Sequence, residues 1–555
     1  MPDVRSPFVD GTKNRGTEVD AIVVGAGFSG LYMLHRLREL GLSTRVYEAA
    51  DGVGGTWYWN RYPGARCDSE SYYYSYSFSR EIEQEWEWSC RYPEQPEILR
   101  YLNYVADKLD LRRDIQFNTR VAAALFNEET GRWEVETADG DRASARFFIS
   151  AVGCLSTAQI PDIKGLDDFA GKWYHTGGWP HEGVDFTGKR VGIIGTGSSG
   201  IQSIPVIASQ AAHLTVFQRT PNFSVPARDA PMAPEFQRHV KANYGEIRQK
   251  IRESLFGMPF DFPAKSALEA TPEERQRAYD ALWDIGGFRF LFESFNDLIF
   301  NKESNDTAAD YVRAKIRETV HDPATAEKLS PRDYPIGTKR PPIDTGYFET
   351  FNRDNVSLVD LRASPIEQIT TNGIRTSDAE YELDAIVFAT GFDAMTGSLF
   401  KLGIRGKGGV TLKEKWADGP HTYLGVATAG FPNLFIITGP GSPSVLSNMP
   451  VSIEQHVEWI GDCIKYLQDH DLDSIEATEE AQQAWVVHVN EVAEATLFPQ
   501  ADSWYMGANI PGKPRLFTPY AGGVGPYRQL CSDIATKGYE GFLTTPRRPA
   551  VTAAG

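Results

Sequence analysis

The stretch VDAIVVGAGFSGLYMLHRLRELGLSTRVYEAAD, Val19 to Asp51, decides the first fold. Ala21 to Val24 is a continuous apolar run, the pattern of a buried parallel strand. Gly25, Gly27 and Gly30 follow in G-x-G-x-x-G spacing. Leu31, Leu34, Leu37 and Leu40 then mark one face of a helix that Gly41 can end. A second strand, Thr44 to Tyr47, leads to Glu48, 23 residues after Gly25. Glycines at these positions permit a tight turn and let a pyrophosphate approach a helix N-terminus. An acid at the end of the second strand can accept hydrogen bonds from ribose hydroxyls. Strand, glycines, helix, strand and acid in this order predict a dinucleotide-binding unit.

The unit recurs in GKRVGIIGTGSSGIQSIPVIASQAAHLTVFQRTP, with Gly195, Gly197 and Gly200 in the same spacing. Pro205 falls inside its helix and predicts a kink. Arg219, 24 residues after Gly195, stands where the first unit has its acid, and Thr220 follows it. An acid would repel a 2′-phosphate, whereas a guanidinium binds one. The first site is therefore expected to hold a dinucleotide with free ribose hydroxyls and the second NADPH.

Two further segments echo each other. FFISAVG ends at Gly153 and AIVFATG at Gly391, each after a hairpin-like stretch. Each reads as the last strand of its fold. Then NLFIITGPGS, Asn433 to Ser442, reads as another buried strand with a Gly-rich loop, returning the chain to the first fold. The expected class is α/β, two Rossmann-like domains with a helical insertion in the second. The expected segments are 1–155 and 391–555 for the first domain, 156–227 and 331–390 for the second, and 228–330 for the insertion. Within the insertion, Thr271 is the expected N-cap of a helix with Pro272 at N1.

Composition narrows the function classes. Hydrophobic residues are 41 % of the 555, enough for two or more packed cores. No apolar run approaches the roughly 18 residues of a membrane span, and the N-terminal residues lack a signal core. A formal charge of −18 argues against nucleic acid and anionic membranes as partners, so phosphate must be held by local donors. The five scattered cysteines fit reduced thiols and a cytoplasmic location. They include no C-x-x-C or C-x-x-x-x-C pair, which sets aside a flavin disulfide reductase; nor do they have metal-site spacing.

Between the two folds lies FAGKWYHTGGWP, Phe169 to Pro180. It has neither helical period nor strand alternation and reads as a loop joining the folds. Phe169, Gly171, His175, Trp179 and Pro180 match F-x-G-x-x-x-H-x-x-x-W-P, the fingerprint of type I Baeyer–Villiger monooxygenases. The sequence also resembles that family at GGTWYWNRYPGARCD (Gly54 to Asp68), GTKRPP (Gly337 to Pro342), ATGFDAMTG (Ala389 to Gly397) and SWYMGANIPGKPR (Ser503 to Arg515). It is most similar to the phenylacetone monooxygenase branch, through PGSPSVLSNMP (Pro440 to Pro450).

The resemblance implies FAD and NADPH as cofactors, with O2 and a ketone as substrates. NADPH reduces FAD, a C4a-peroxyflavin forms and attacks the ketone, and an ester or lactone results. The family pattern puts Gly55, Thr56 and Trp57 with FAD, and Lys339 and Trp504 with NADP. It makes Arg340 the active-site cation and Asp68 its carboxylate partner, and Arg66 can share their network. Ser444, Val445 and Leu446 fall in the loop expected to line the substrate pocket. Small residues there point to aryl-aliphatic or bulky cyclic ketones. The neutral pKa range of His175 suits a base, but its place between folds favours an anchored hinge. SESYYYSYSF (Ser69 to Phe78) is assigned no site. Sulfoxidation is compatible with the same chemistry. Two alternatives stay open: an N- or S-oxidising flavin monooxygenase, and a non-catalytic NADP(H) sensor. The expected state is a monomer or small homo-oligomer.

Overall fold

The computed structural model describes residues 16–547; the outermost parts of the expected first domain, 1–15 and 548–555, lie outside the described residues. Strand β1 (Thr17–Val24), helix α1 (Phe28–Glu39) and strand β2 (Thr44–Tyr47) form the first unit. β1 runs parallel to β2 on one side and to Arg142–Ser150 on the other. The sheet has eight strands. An antiparallel meander through Val121–Asn127 and Arg132–Thr137 feeds into Arg142–Ser150. Where that pairing ends, Leu434–Ile436 takes over the same edge, parallel, with Ile436 opposite Ser150. The late strand thus returns to the first sheet, as the apolar run before its Gly-rich loop predicts.

The second unit is β3 (Arg190–Ile194), α2 (Ser198–Gln210) and β4 (His213–Gln218). Its five-stranded sheet is parallel throughout, in the order Val356–Asp360, β4, β3, Ala385–Phe388, Lys172–His175. Pro205 lies inside α2, which runs from Ser198 to Gln210. One expectation changes here. The fingerprint is not only a loop, because Lys172–His175 is an edge strand pairing with Ala385–Phe388. Four residues are too short a run for alternation to register.

The insertion supplies helices Pro234–Glu253, Pro272–Ile285 and Lys302–Thr319. Thr271 caps the second as expected. Its side chain accepts from the Glu274 N–H while Glu274 returns a bond to the Thr271 N–H, a capping box. The insertion packs into one core with the second sheet and with Tyr72, Tyr73 and Tyr92 of the first segment. Arg248 fastens it, donating to Glu83 at 2.8 Å, to the Ser75 hydroxyl at 2.7 Å and to the carbonyls of Tyr73 and Tyr76. The SESYYYSYSF stretch is therefore buried docking surface for the insertion. No helix among the described residues is long and apolar enough to cross a membrane.

Candidate active site

The two glycine turns are built alike. Gly25 and Gly195 take φ of +105° and +109°, a region closed to most L-residues. A Cβ on Gly25 would lie 2.6 Å from the Ala151 carbonyl oxygen, and one on Gly195 2.4 Å from that of Ala389. Gly30 and Gly200 each press on the carbonyl of the first glycine of their own motif. Gly27 and Gly197 are the N-caps of α1 and α2, and neither helix has a side-chain cap or an acid in its first turn. The leading N–H groups are thus left for a phosphate, which the helix dipole favours. These turns fit two dinucleotides.

The units part company at the strand ends. Glu48 is buried, and its two carboxylate oxygens accept from the N–H of Ala26 at 2.7 Å and of Ala50 at 2.8 Å. Burial pushes its carboxyl up against the pull of those bonds. Strand register corrects the sequence-based alignment here. Val24 pairs with Tyr47 and Ile194 with Phe217, so the counterpart of Glu48 is Gln218, and Arg219 lies one residue beyond. Gln218 is buried and donates to the Lys328 carbonyl at 2.8 Å. Arg219 is exposed, without an acidic partner among the described residues. Thr220 is half-buried, and its carbonyl accepts from Thr196 Oγ1 at 3.0 Å. Lys339 lies over the Tyr334 ring at 4.6 Å; burial and the charge of Arg219 push its ammonium down. Arg219 and Lys339 thus place two cations near each other at the end of the second unit, the local donors a phosphate would need in a chain of charge −18.

Gly54 and Gly55 form a second turn stacked on the first, with the Gly54 N–H donating to the Ala26 carbonyl at 3.0 Å. A Cβ on Gly55 would lie 2.9 Å from Gly27 Cα. Thr56 opens the short helix Thr56–Trp59, and Trp57 Nε1 donates to the Tyr74 hydroxyl at 3.1 Å.

Across the molecule, Arg340 Nε donates to Asp68 Oδ2 at 2.9 Å and Arg340 Nη1 to the Val445 carbonyl at 3.1 Å. The guanidinium lies over the Phe288 ring at 5.4 Å. The Arg340 side chain is 28 % exposed and that of Asp68 8 %. Burial works against the Arg340 charge, but the Asp68 carboxylate and Tyr505 outweigh it and hold its pKa above the usual arginine value. Burial pushes the Tyr505 hydroxyl up to about 12, with Arg340 opposing. The Trp504 ring lies 4.3 Å from that of Tyr505, tilted by 54°. The structure thus brings together Arg340, Asp68, Val445 and the Trp504–Tyr505 pair from distant segments.

Other residues named from sequence sit elsewhere. Arg66 does not join Asp68; it pairs with Glu94 at 2.8 Å and Asp229 at 3.0 Å. Ser444 is fully buried, with its hydroxyl 3.1 Å from Cys154 Sγ and 3.3 Å from the Thr438 carbonyl, while Leu446 is partly exposed. His175 accepts from the Gly177 N–H through Nδ1 at 2.9 Å and meets Thr390 Oγ1 through Nε2 at 3.4 Å. Burial lowers its pKa, against bonds from the backbone of Gln159 and Gly391, so it stays neutral and bridges the ends of two strands. Phe169 and Trp179 are buried in two different cores, and Pro180 is half-buried beside Trp179. Gly171 leaves no room for a side chain, since a Cβ would lie 2.5 Å from the Asp384 carbonyl oxygen. Phe288, Tyr505 and Gln218 escaped sequence reasoning. Only Tyr505, beside Trp504 in a family motif, carried a signal.

The flavin-binding monooxygenase-like family profile matches residues 19–225. The chain is 48 % identical to a Baeyer–Villiger monooxygenase of Pseudooceanicola batsensis, over 96 % of this chain and 98 % of that protein. It is 46 % identical to phenazine N-monooxygenase PhzNO1 of Lysobacter antibioticus, over 96 % and 98 %. Among solved structures, an oxidized steroid monooxygenase bound to NADP superposes with a TM-score of 0.91 at 55 % identity, covering 95 % of this chain and all of that one. With two dinucleotide turns, two cations near the second, and relatives matched over nearly their whole length, the chain belongs to the Baeyer–Villiger monooxygenases, flavoenzymes that use FAD and NADPH.

Proposed function

We propose that the protein inserts one oxygen atom from O2 beside a ketone carbonyl, forming an ester or lactone while NADPH is oxidised and water is released. The preferred substrates are aryl-aliphatic or bulky cyclic ketones. The observation that carries this reading is the Arg340–Asp68 pair. Bound FAD, once reduced, supplies the activation of O2. Arg340 supplies a fixed cation where negative charge develops on oxygen during insertion, and it cannot lose that charge beside a carboxylate. Asp68 holds the guanidinium through Nε and leaves the Nη edge to the Val445 carbonyl and the site. Phe288 and Tyr505, both buried, shield part of the guanidinium from water, which strengthens the charge interactions on that side.

FAD lies on the Gly25, Gly27 and Gly30 turn, with Glu48 at its ribose and Gly55, Thr56 and Trp57 beside it. NADPH lies on the Gly195, Gly197 and Gly200 turn, with Arg219, Thr220 and Lys339 at the 2′-phosphate and Trp504 nearby. Ser444, Val445 and Leu446 shape the substrate side, Ser444 through backbone placement. The fingerprint residues anchor the joint between the domains, whose boundaries fall near 155, 227, 330 and 390. The two sheets support this division by the segments from which they draw strands. We place the protein in the cytoplasm, consistent with five free cysteines, as a monomer or small homo-oligomer.

The test is purified protein with NADPH, O2 and a ketone panel, assayed by ester yield against NADPH consumed. No ester from any ketone refutes the reading. The phenazine N-monooxygenase relative favours a second reading, oxidation of an aromatic ring nitrogen. A thioether and a nitrogen heterocycle in the same panel separate the cases by product.

A further inference from the structure

Gln202 lies in α2, five residues after its glycine N-cap, with 4 % of its surface exposed. Its side-chain amide faces away from its own sheet, onto the stretch Tyr62–Arg66 of the first segment. Oε1 accepts from the Tyr62 hydroxyl at 2.8 Å, and Nε2 donates to the Arg66 carbonyl at 3.2 Å. Between these contacts Gly64 takes φ of +80°, and a Cβ there would lie 2.3 Å from the Gln202 carbonyl oxygen. The stretch therefore lies flush on α2 and tolerates no side chain at its closest point. Beyond it the Arg66 side chain is tied to Glu94 and Asp229.

Asp68 follows two residues later. Its Oδ2 holds Arg340, while its Oδ1 is buried with no hydrogen-bond partner. Apart from Arg340, no hydrogen bond fixes that side chain, so its pose depends on where the backbone of 62–68 is held. α2 is also the helix whose N-terminus forms the second dinucleotide turn. We propose that Gln202 is a positioning residue: it fastens 62–66 to α2, so that coenzyme bound at the head of α2 sets Asp68 against Arg340. This rests on the role proposed for that pair.

The experiment follows hydrogen–deuterium exchange of the FAD-loaded protein with and without NADP+, reading peptides over 62–68 and 198–205. In the native chain NADP+ slows exchange in both. In Gln202→Leu it slows exchange only in 198–205. In the same variant NADPH reduces the flavin within about twofold of the native rate, while ester per NADPH falls by roughly threefold to tenfold and hydrogen peroxide rises to match. Gly64→Ala, which removes no hydrogen-bonding group, gives the same split. Should Gln202→Leu fail to retain FAD, Tyr62→Phe, which deletes one hydroxyl, decides by the same readings. Equal protection of 62–68 in native and variant protein overturns the proposal, as does an unchanged ester yield in both Gln202→Leu and Gly64→Ala. If the native protein makes no ester from any ketone, the chemical reading fails, while the exchange result still rules on Gln202.

Discussion

In both glycine units a positive-φ glycine presses on an alanine carbonyl, Ala151 in one and Ala389 in the other, and an uncapped helix follows. The sheets even share an edge arrangement, with Leu434–Ile436 beside Phe148–Ser150 and Lys172–His175 beside Ala385–Phe388. The difference lies at the end of the second strand. Glu48 turns back and clasps the N–H of Ala26 inside its own glycine motif. Gln218, in the matching position, carries no charge and is tied outward to the Lys328 carbonyl. The cations come from the next residue, Arg219, and from Lys339 on a distant loop. In the proposed reading the backbone places a dinucleotide, while a few side chains set which phosphates it carries.

The strongest test concerns the pair that spans the two regions. Arg340→Ala is expected to cut ester formation by at least about two decades, while FAD stays bound and NADPH is spent on hydrogen peroxide. Arg340→Lys recovers little, because an ammonium cannot reproduce the guanidinium fork. Asp68→Ala falls between native and Arg340→Ala. A mass balance of NADPH, peroxide and ester decides, and a near-native ester yield in Arg340→Ala refutes the assignment.

Next is the contrast at the strand ends. A charge-assisted hydrogen bond contributes about 1.5–3 kcal/mol, or roughly one to two decades in binding. Arg219→Ala is expected to raise the KM for NADPH by that factor and leave NADH unchanged. An equal loss with both coenzymes makes Arg219 structural and erases the contrast.

A smaller effect is expected on the acidic side. Glu48→Gln keeps one acceptor and sets an NH2 group against a backbone N–H, so FAD binding to the stripped protein weakens by about tenfold. Titration of apoprotein with FAD measures it. Unchanged affinity means Glu48 serves only its own turn.

The smallest effect concerns His175. Its folded pKa lies below the unfolded value of about 6.5, so the unfolded chain binds more protons as pH falls through that value. The stability held by neutral His175 is complete above that pH and declines below it. Melting temperature against pH, from about 7 to 5, should fall less steeply in His175→Asn than in the native chain. Parallel curves show that His175 is not the titrating group.

Most of the fold was legible because glycine spacing and apolar runs act over a few residues. The paired echoes of Gly153 and Gly391 carried the two-sheet plan for the same reason. What stayed hidden depends on register or on distant contacts. A one-residue offset separates Gln218 from Arg219; the counts from the first glycine, 23 to Glu48 and 24 to Arg219, already differ by it, and strand register fixes which residue is the counterpart. Arg66 sits two residues from Asp68, yet its side chain reaches Glu94 and Asp229, partners 28 and 163 residues away that nearness in sequence does not indicate. Ser444 looked free in a loop of small residues but turns its hydroxyl inward to Cys154. Phe288 reaches Arg340 only because the insertion folds back over the site.

The late edge strand has a consequence during synthesis. The edge of Phe148–Ser150 is paired by Leu434–Ile436, almost 290 residues later. At a ribosomal rate of about 5–20 residues per second, that edge waits roughly 15–60 s for its partner. The five-stranded sheet is complete in sequence at Phe388, well before. The half with the first glycine motif is therefore the last to close, although its first strand leaves the ribosome earliest. A nascent chain from which Phe388 but not Leu434 has emerged carries one sheet with all its strands and one open edge, the kind of surface that chaperones shield.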